Sequence, residues 1–204
     1  MPLDSLARND RGGDPQDLPD HDLLALFAQG DAMAARVLTE RLTPRVMGHA
    51  YRMLGDRAEA EDVAQEAMMR LWRIAPDWRQ DEAQVTTWLY RVVANLATDR
   101  LRRRKRTAAP ALDDLPDPVD DAPGPAETMQ ARARAAALQA ALDALPDRQR
   151  QAVVLRHIEG LSNPEIAAIM DISTEAVESL TARGKRTLTT ALAGRREELG
   201  YDNG

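Results

Sequence analysis

From Thr107 to Pro125 the chain reads TAAPALDDLPDPVDDAPGP, with five prolines and five aspartates in nineteen residues. Proline removes backbone donors that a helix or sheet would need, and closely spaced like charges repel one another. This stretch is therefore expected to be an extended linker, reaching about 60 Å at about 3.1 Å per residue. A chain interrupted in this way divides into two packed units, residues 21–106 and 126–193. Residues 1–20 are rich in Pro, Gly and Asp with little to bury and read as a disordered leader, and residues 194–204 read as a tail.

Both units are expected to be helical. Hydrophobic residues make up 44% of the 204-residue chain, enough for real cores, while aromatics are only 3%. No segment alternates apolar and polar residues over a strand length, so the class is all-α: two small helical domains joined by an extended acidic linker. Leu23, Leu24 and Phe27, then Ala32, Ala35, Val37 and Leu38, predict two short helices around Gly30. Val46 to Leu54 reads as the end of a further helical stretch, broken by Gly55 and Asp56. Glu61 to Ile74 (EDVAQEAMMRLWRI) puts Val63, Ala67, Leu71 and Ile74 in one row and Ala64, Met68 and Trp72 in the next, leaving Asp62, Gln65, Glu66 and Arg70 outside. Pro76 to Gln84 is a polar loop carrying Trp78, an aromatic that a loop does not need.

The stretch VTTWLYRVVANLATDRLRRRKR, Val85 to Arg106, carries more information. Val85, Trp88, Leu89, Val92, Val93, Leu96 and Leu101 recur at helical steps as a packing side, and Arg91, Asn95, Asp99 and Arg102 share the opposite side. Arg102, Arg103, Arg104, Lys105 and Arg106 then follow without interruption. One or two cations in a last turn satisfy the helix dipole; five in a chain of net charge -6 point to a polyanionic partner. Acid collects in the leader, in residues 56–66 and in residues 113–127, and base in residues 100–106 and 183–196. Such segregation suits a protein that touches nucleic acid locally and is otherwise held by another protein.

The second unit opens with a helix over Ala126 to Leu145. Pro146 restarts the chain at Asp147 to Ile158, which Gly160 closes. Ser162-Asn163-Pro164-Glu165 is a capping box with proline in the first turn. Asp171-Ile172-Ser173 is a short turn, and Thr174 to Leu188 forms the following helix. With Ile166, Ile169, Ile172, Val177 and Leu180 placed to hold the pair together, this is a helix-turn-helix.

Several classes of function are excluded. The chain has no cysteine, and His21, His49 and His157 lack ligand spacing, so neither a metal site nor any cofactor is expected. No Ser/His/Asp set or phosphate-cradling glycine loop is present, so an enzyme is not expected either. No apolar run approaches membrane-spanning length and the N-terminus lacks a signal-peptide core, so no membrane insertion and a cytoplasmic location are expected.

Taken in order, these segments resemble the extracytoplasmic-function sigma factors of bacterial RNA polymerase, over about residues 21–193. DVAQEAMMRLWR resembles that family's core-polymerase-binding helix, TWLYRVVANLATDRLRRRKR its promoter-melting and minus-ten-recognition helix, and LPDRQRQAVVLRHIEGLSNPEIAAIMDISTEAVESLTARGKRTL its minus-thirty-five domain. The resemblance implies binding to core RNA polymerase and to promoter DNA, with an anti-sigma factor as a further partner. It assigns Asp62, Gln65, Glu66 and Arg70 to the polymerase. To the minus-ten element it assigns Trp88, Arg91 and Asn95 with the cations Arg100, Arg102, Arg103, Arg104 and Lys105. Arg106 belongs to the same basic run. Extruded bases would need stacking surfaces, for which Trp88, Tyr90 and Trp78 are candidates; Trp88 serves equally well as core, and Trp72 is assigned to the core.

For the minus-thirty-five element the resemblance implies major-groove contacts from Thr174, Glu175, Glu178, Ser179, Arg183 and Lys185. Here the sequence departs from the commoner pattern, since many relatives carry Arg or Lys in place of Glu178 and a further cation in place of Leu180. A carboxylate accepts from a cytosine amino group but repels phosphate, so an unusual upstream element or a weaker hold on it is expected. Two rivals remain at this point: an independent helix-turn-helix regulator that binds DNA as a dimer, and a helical adaptor that binds only protein.

Overall fold

The computed structural model describes residues 15–79, 84–107 and 125–193. The expected leader up to residue 14, the expected linker from 108 to 124 and the expected tail 194–204 lie outside the described residues. What is described is helical throughout: α1 (Asp20–Ala28), α2 (Ala32–Leu54), α3 (Arg57–Ile74) and α4 (Val85–Thr107) before the linker, then α5 (Pro125–Asp143), α6 (Asp147–Val153), α7 (Asn163–Met170) and α8 (Thr174–Ala193).

Where the structure departs from the expected element bounds, the cause is local. Residues 32–54, read as a short helix followed by a separate stretch, form one helix that passes through Pro44. Proline inside a helix costs about 3 kcal/mol. Pro44 faces solvent, however, while Leu38 and Leu42 on one side of it and Val46 and Ala50 on the other are essentially inaccessible. Each such burial returns about 1.5–3 kcal/mol for the larger side chains, so the core holds the helix through the break. Helix α3 begins earlier than its apolar pattern, because Asp56 accepts a hydrogen bond from the Glu59 amide at 2.9 Å and caps it. Gly55, at φ 68°, ends α2 in the left-handed conformation that makes the reversal possible. The helix expected over 147–158 becomes α6 followed by a π-helical turn, Val154–Ile158.

The first bundle closes around Leu23, Leu24, Leu38, Leu42, Met53, Leu71, Leu89 and Val93. Trp72 packs at its edge against Phe27 with ring centroids 4.5 Å apart, consistent with its assignment to the core. In the second unit α7 and α8 meet through Ile166, Ile169 and Val177, flanked by Ile172 and Leu180. The capping box is present in full: Ser162 Oγ accepts from the Glu165 amide, and Glu165 Oε2 accepts from the Ser162 amide at 2.8 Å. Asp171, the one positive-φ residue other than glycine among those described, makes the turn between the two helices.

The two units lie against each other, with α7 on α4. Tyr90 and Ala94 of α4 are buried in the same apolar cluster as Ala152, Leu155 and Ile166. Arg150, almost fully buried, donates across the boundary to the Met53 carbonyl at 2.7 Å and within its own unit to the Asp143 carbonyl at 2.9 Å.

Candidate nucleic-acid interface

Helix α4 has three sides with different surroundings. Val85, Leu89, Val93 and Ala97 enter the first core, and Tyr90 and Ala94 face the second unit. Arg91, Asn95, Asp99 and Arg102 are left exposed in a stripe. Trp88 borders that stripe, half-buried, and meets Trp78 edge-to-face at 5.9 Å and 86°. The Trp78 indole N–H is buried with no hydrogen-bond partner. Tyr90, a candidate surface for bases in the sequence, is 6% exposed here and sealed between the units, because its position one residue before Arg91 turns it 100° away from the stripe.

The basic run divides by the same rotation. Arg102, Arg103, Lys105 and Arg106 are exposed and, with Asp99, line an open concavity at the end of α4. Arg104 turns inward, where its guanidinium donates to Glu59 Oε1 at 2.9 Å and to the Leu54 carbonyl at 3.1 Å and pairs with Asp56 at 3.2 Å. It ties the end of α4 to the α2–α3 corner and has little left to offer a phosphate. Arg100 pairs with Asp62 of α3 at 3.3 Å, and Lys105 with Asp147 of the second unit at 2.5 Å.

On α3 the four polar candidates form one outward face. Asp62, Gln65 and Arg70 are exposed, and Glu66 accepts from Arg70 Nε at 2.8 Å. That bond, with the charges of Arg70 and Arg73, holds the Glu66 carboxyl below its ordinary range. Between Gln65 and Glu66 on this face lies Met69, 43% exposed, one of two large exposed hydrophobics among the described residues. The sequence reading missed it. The available signal was the Met68-Met69 pair, whose first member is buried, so that the second must project outward one helical step later.

On α8, Glu175, Glu178, Ser179, Arg183 and Lys185 are exposed, and Thr174 is half-buried at the first turn. Arg183 donates to Ser179 Oγ at 2.8 Å, and Asn163 of α7 donates to Glu178 Oε1 at 3.3 Å. The Glu175 carboxyl is held low by its own backbone amide and by the Ser173 hydroxyl. Arg186 is exposed on the same arc and was also missed. Gly184 lies on the inner side, where a Cβ would stand 2.5 Å from Val153 Cγ2, so only glycine lets α8 approach α6 this closely.

One helix with an exposed Arg/Asn stripe bordered by Trp88, and a helix-turn-helix downstream, is the arrangement expected of a two-domain Sigma-70-type protein. Sequence comparison agrees: residues 38–107 match Sigma-70 region 2 and residues 135–188 match Sigma-70 region 4. The chain is 38% identical over 158 residues to the ECF RNA polymerase sigma factor SigE of Mycolicibacterium smegmatis, a match covering 76% of this chain and 60%, less than two thirds, of that one. It is 30% identical over 172 residues to the ECF sigma factor SigW of Bacillus subtilis, covering 80% of this chain and 91% of that one. Among solved structures it is similar to CnrH in complex with the cytosolic domain of CnrY, with a TM-score of 0.60, 26% identity, and 86% and 97% of the two chains covered. The chain belongs to the ECF RNA polymerase sigma factor family.

Proposed function

We propose that the protein is an alternative sigma factor that docks on core RNA polymerase through α3, holds the melted minus-ten strand on α4 and reads the minus-thirty-five element with α8. The observation that carries this reading is the exposed stripe of Arg91, Asn95 and Arg102 beside the Trp78–Trp88 pair, on a helix whose other sides are packed. The stripe offers an amide for a base edge and cations for phosphate, and the paired indoles offer an apolar wall. Duplex DNA presents no extruded base to such a wall, and this disfavours the independent dimeric regulator. Arg102, Arg103, Lys105 and Arg106 supply non-specific phosphate affinity, Arg100 joins them once Asp62 is engaged elsewhere, and Arg104 serves the fold.

Asp62, Gln65, Glu66 and Arg70, with Met69 among them, form the polymerase face: an apolar centre with a charged rim. Thr174, Glu175, Glu178, Ser179, Arg183 and Lys185 form the major-groove face, with Glu178 favouring a cytosine amino group and Arg183 a guanine or a phosphate. The similar protein CnrH was solved with the cytosolic domain of CnrY. We infer that a protein partner, an anti-sigma factor, holds this chain. No helix among the described residues is long and apolar enough to cross a membrane, and the cytoplasm, where the polymerase works, is the proposed location.

Electrophoretic and transcription assays test the reading. Without polymerase, the protein should give no tight specific shift of duplex promoter DNA; with core enzyme it should support initiation at defined start sites. A tight duplex shift by the protein alone would favour the dimeric regulator.

A further inference from the structure

Glu159, which follows the π-helical turn of the second unit, is the most buried carboxylate at the boundary between the units, its side chain only 8% exposed. The groups that face it come from the first unit. His49 of α2 is fully buried, and its Nδ1 lies 3.4 Å from Glu159 Oε1. Arg52 Nη1 of α2 donates to the same oxygen at 3.4 Å, and the Tyr90 hydroxyl of α4 faces the carboxylate. The His49 and Tyr90 rings are 5.0 Å apart, closing the site from the side. Burial pulls the Glu159 carboxyl upward, but the His49 and Tyr90 contacts and the Arg52 charge outweigh it and hold it below the ordinary range. Burial and the same carboxylate push the Tyr90 hydroxyl up, so it remains neutral. Further contacts cross the boundary around this centre: Thr87 Oγ1 to Glu165 Oε1 at 3.5 Å, Lys105 to Asp147, and Arg150 to the Met53 carbonyl.

This arrangement is incompatible with the task proposed above. Helix α4 packs on α7 and α7 on α8. At 8–10 Å per helix contact, the two DNA-reading helices are about 20 Å apart. Elements centred near positions minus ten and minus thirty-five are separated by about 85 Å at about 3.4 Å per base pair. The units must part before both elements can be held. A buried carboxylate paired with an arginine across the boundary suits such a hinge. Its Coulomb gain is largely offset by the desolvation of its members, so it fixes one arrangement while returning those groups to water on opening.

We propose that Glu159, with His49, Arg52 and Tyr90, is a latch that keeps the free sigma factor closed, so that polymerase and promoter engage the open fraction and pay for opening. Apparent affinity for the polymerase is then reduced by the fraction of molecules that are open. The proposal rests on the sigma reading, and the first arm of its test does not.

The full-length chain has no cysteine. Ala58→Cys on α3 and Thr190→Cys on α8, both at exposed positions, allow site-specific dyes to report the separation of the units by energy transfer. The wild type should show mainly a high-transfer population. Glu159→Lys, which sets a cation against Arg52, should move most molecules to low transfer while helical circular dichroism is retained; Glu159→Gln should do so partially. Unchanged transfer in both variants would overturn the latch, as would a wild type that is already mostly open. The second arm uses Thr87→Cys/Glu165→Cys joined by a short cleavable bismaleimide. Promoter-specific transcription with core polymerase should fall at least tenfold in the linked protein and return on cleavage. A linked protein as active as the unlinked one would overturn the proposal. Loss of transcription from every form, with energy transfer behaving as expected, would sink the sigma reading and leave the latch standing.

Discussion

At Ser162 and Glu165 the sequence dictates both a structure and a pH dependence. The Ser162 hydroxyl, then its backbone amide, hold the Glu165 carboxyl below its ordinary value. A carboxylate depressed in the folded state stabilises that state above its unfolded pKa of about 4.3, and the contribution is lost as pH falls through the lower folded value. The urea midpoint should therefore fall between pH 6 and pH 3 in the wild type, and fall less in Glu165→Gln; equal falls would show that the capping box is not the titrating element. Ser162→Ala should lower stability by about 1 kcal/mol, read from urea melts at neutral pH. Gly184→Ala tests the tightest contact in the second unit. Helix propensity alone would make alanine better by about 1 kcal/mol. The 2.5 Å approach to buried Val153 reverses the sign, and a net loss of about 1–3 kcal/mol is expected from thermal melting. That glycine was not legible in the sequence, because nothing in a helical pattern shows which residue a neighbouring helix will touch. The capping box was, since every participant lies within four residues.

Helices α3 and α4 show how far periodicity reaches and where it stops. The apolar rows of α3 are buried through Leu71 as its three- and four-residue spacing requires, with Trp72 and Ile74 half-buried at the end, and Asp62, Gln65 and Arg70 are outside. The inward turn of Arg104 and the sealing of Tyr90 depend on what stands opposite, namely the acids at the start of α3 and the whole second unit, neither of which is coded within α4. The continuity of α2 through Pro44 was hidden for the same reason: local propensity was overruled by a core assembled from distant residues. The roles proposed for these helices separate under mutation. Asp62→Lys with Glu66→Lys should weaken binding to core polymerase by at least tenfold, about 1.4 kcal/mol, measured by fluorescence anisotropy, without changing helicity. Met69→Asp should do the same if the face has an apolar centre. On α4, Arg102→Ala and Arg103→Ala should each reduce the slope of log affinity against log salt for a promoter-bound holoenzyme by about 0.7–0.9, whereas Arg104→Ala should lower stability and leave that slope unchanged. An Arg104→Ala slope change as large as that of Arg103→Ala would contradict the division of the basic run.

At the scale of the whole molecule, the sequence supplies two helical units and the boundary between them, and the structure supplies their embrace. A Pro- and Asp-rich stretch says that two bodies are joined, but it carries no information on whether they touch. That information lies in Glu159, His49 and Tyr90, three residues far apart in the chain, each of which looks unremarkable in its own segment. The overall acidity of the chain, net -6, fits a subunit that contributes a few local DNA contacts and draws most of its affinity from a larger enzyme. The most direct measurement is in vitro transcription by sigma-free core polymerase on a library of upstream regions from the host, with start sites mapped by sequencing. With the wild-type protein, initiation should concentrate at a small set of sites sharing one minus-ten and one minus-thirty-five sequence, and Asn95→Ala should reduce that initiation at least tenfold. Start sites distributed as they are with core enzyme alone would contradict the account.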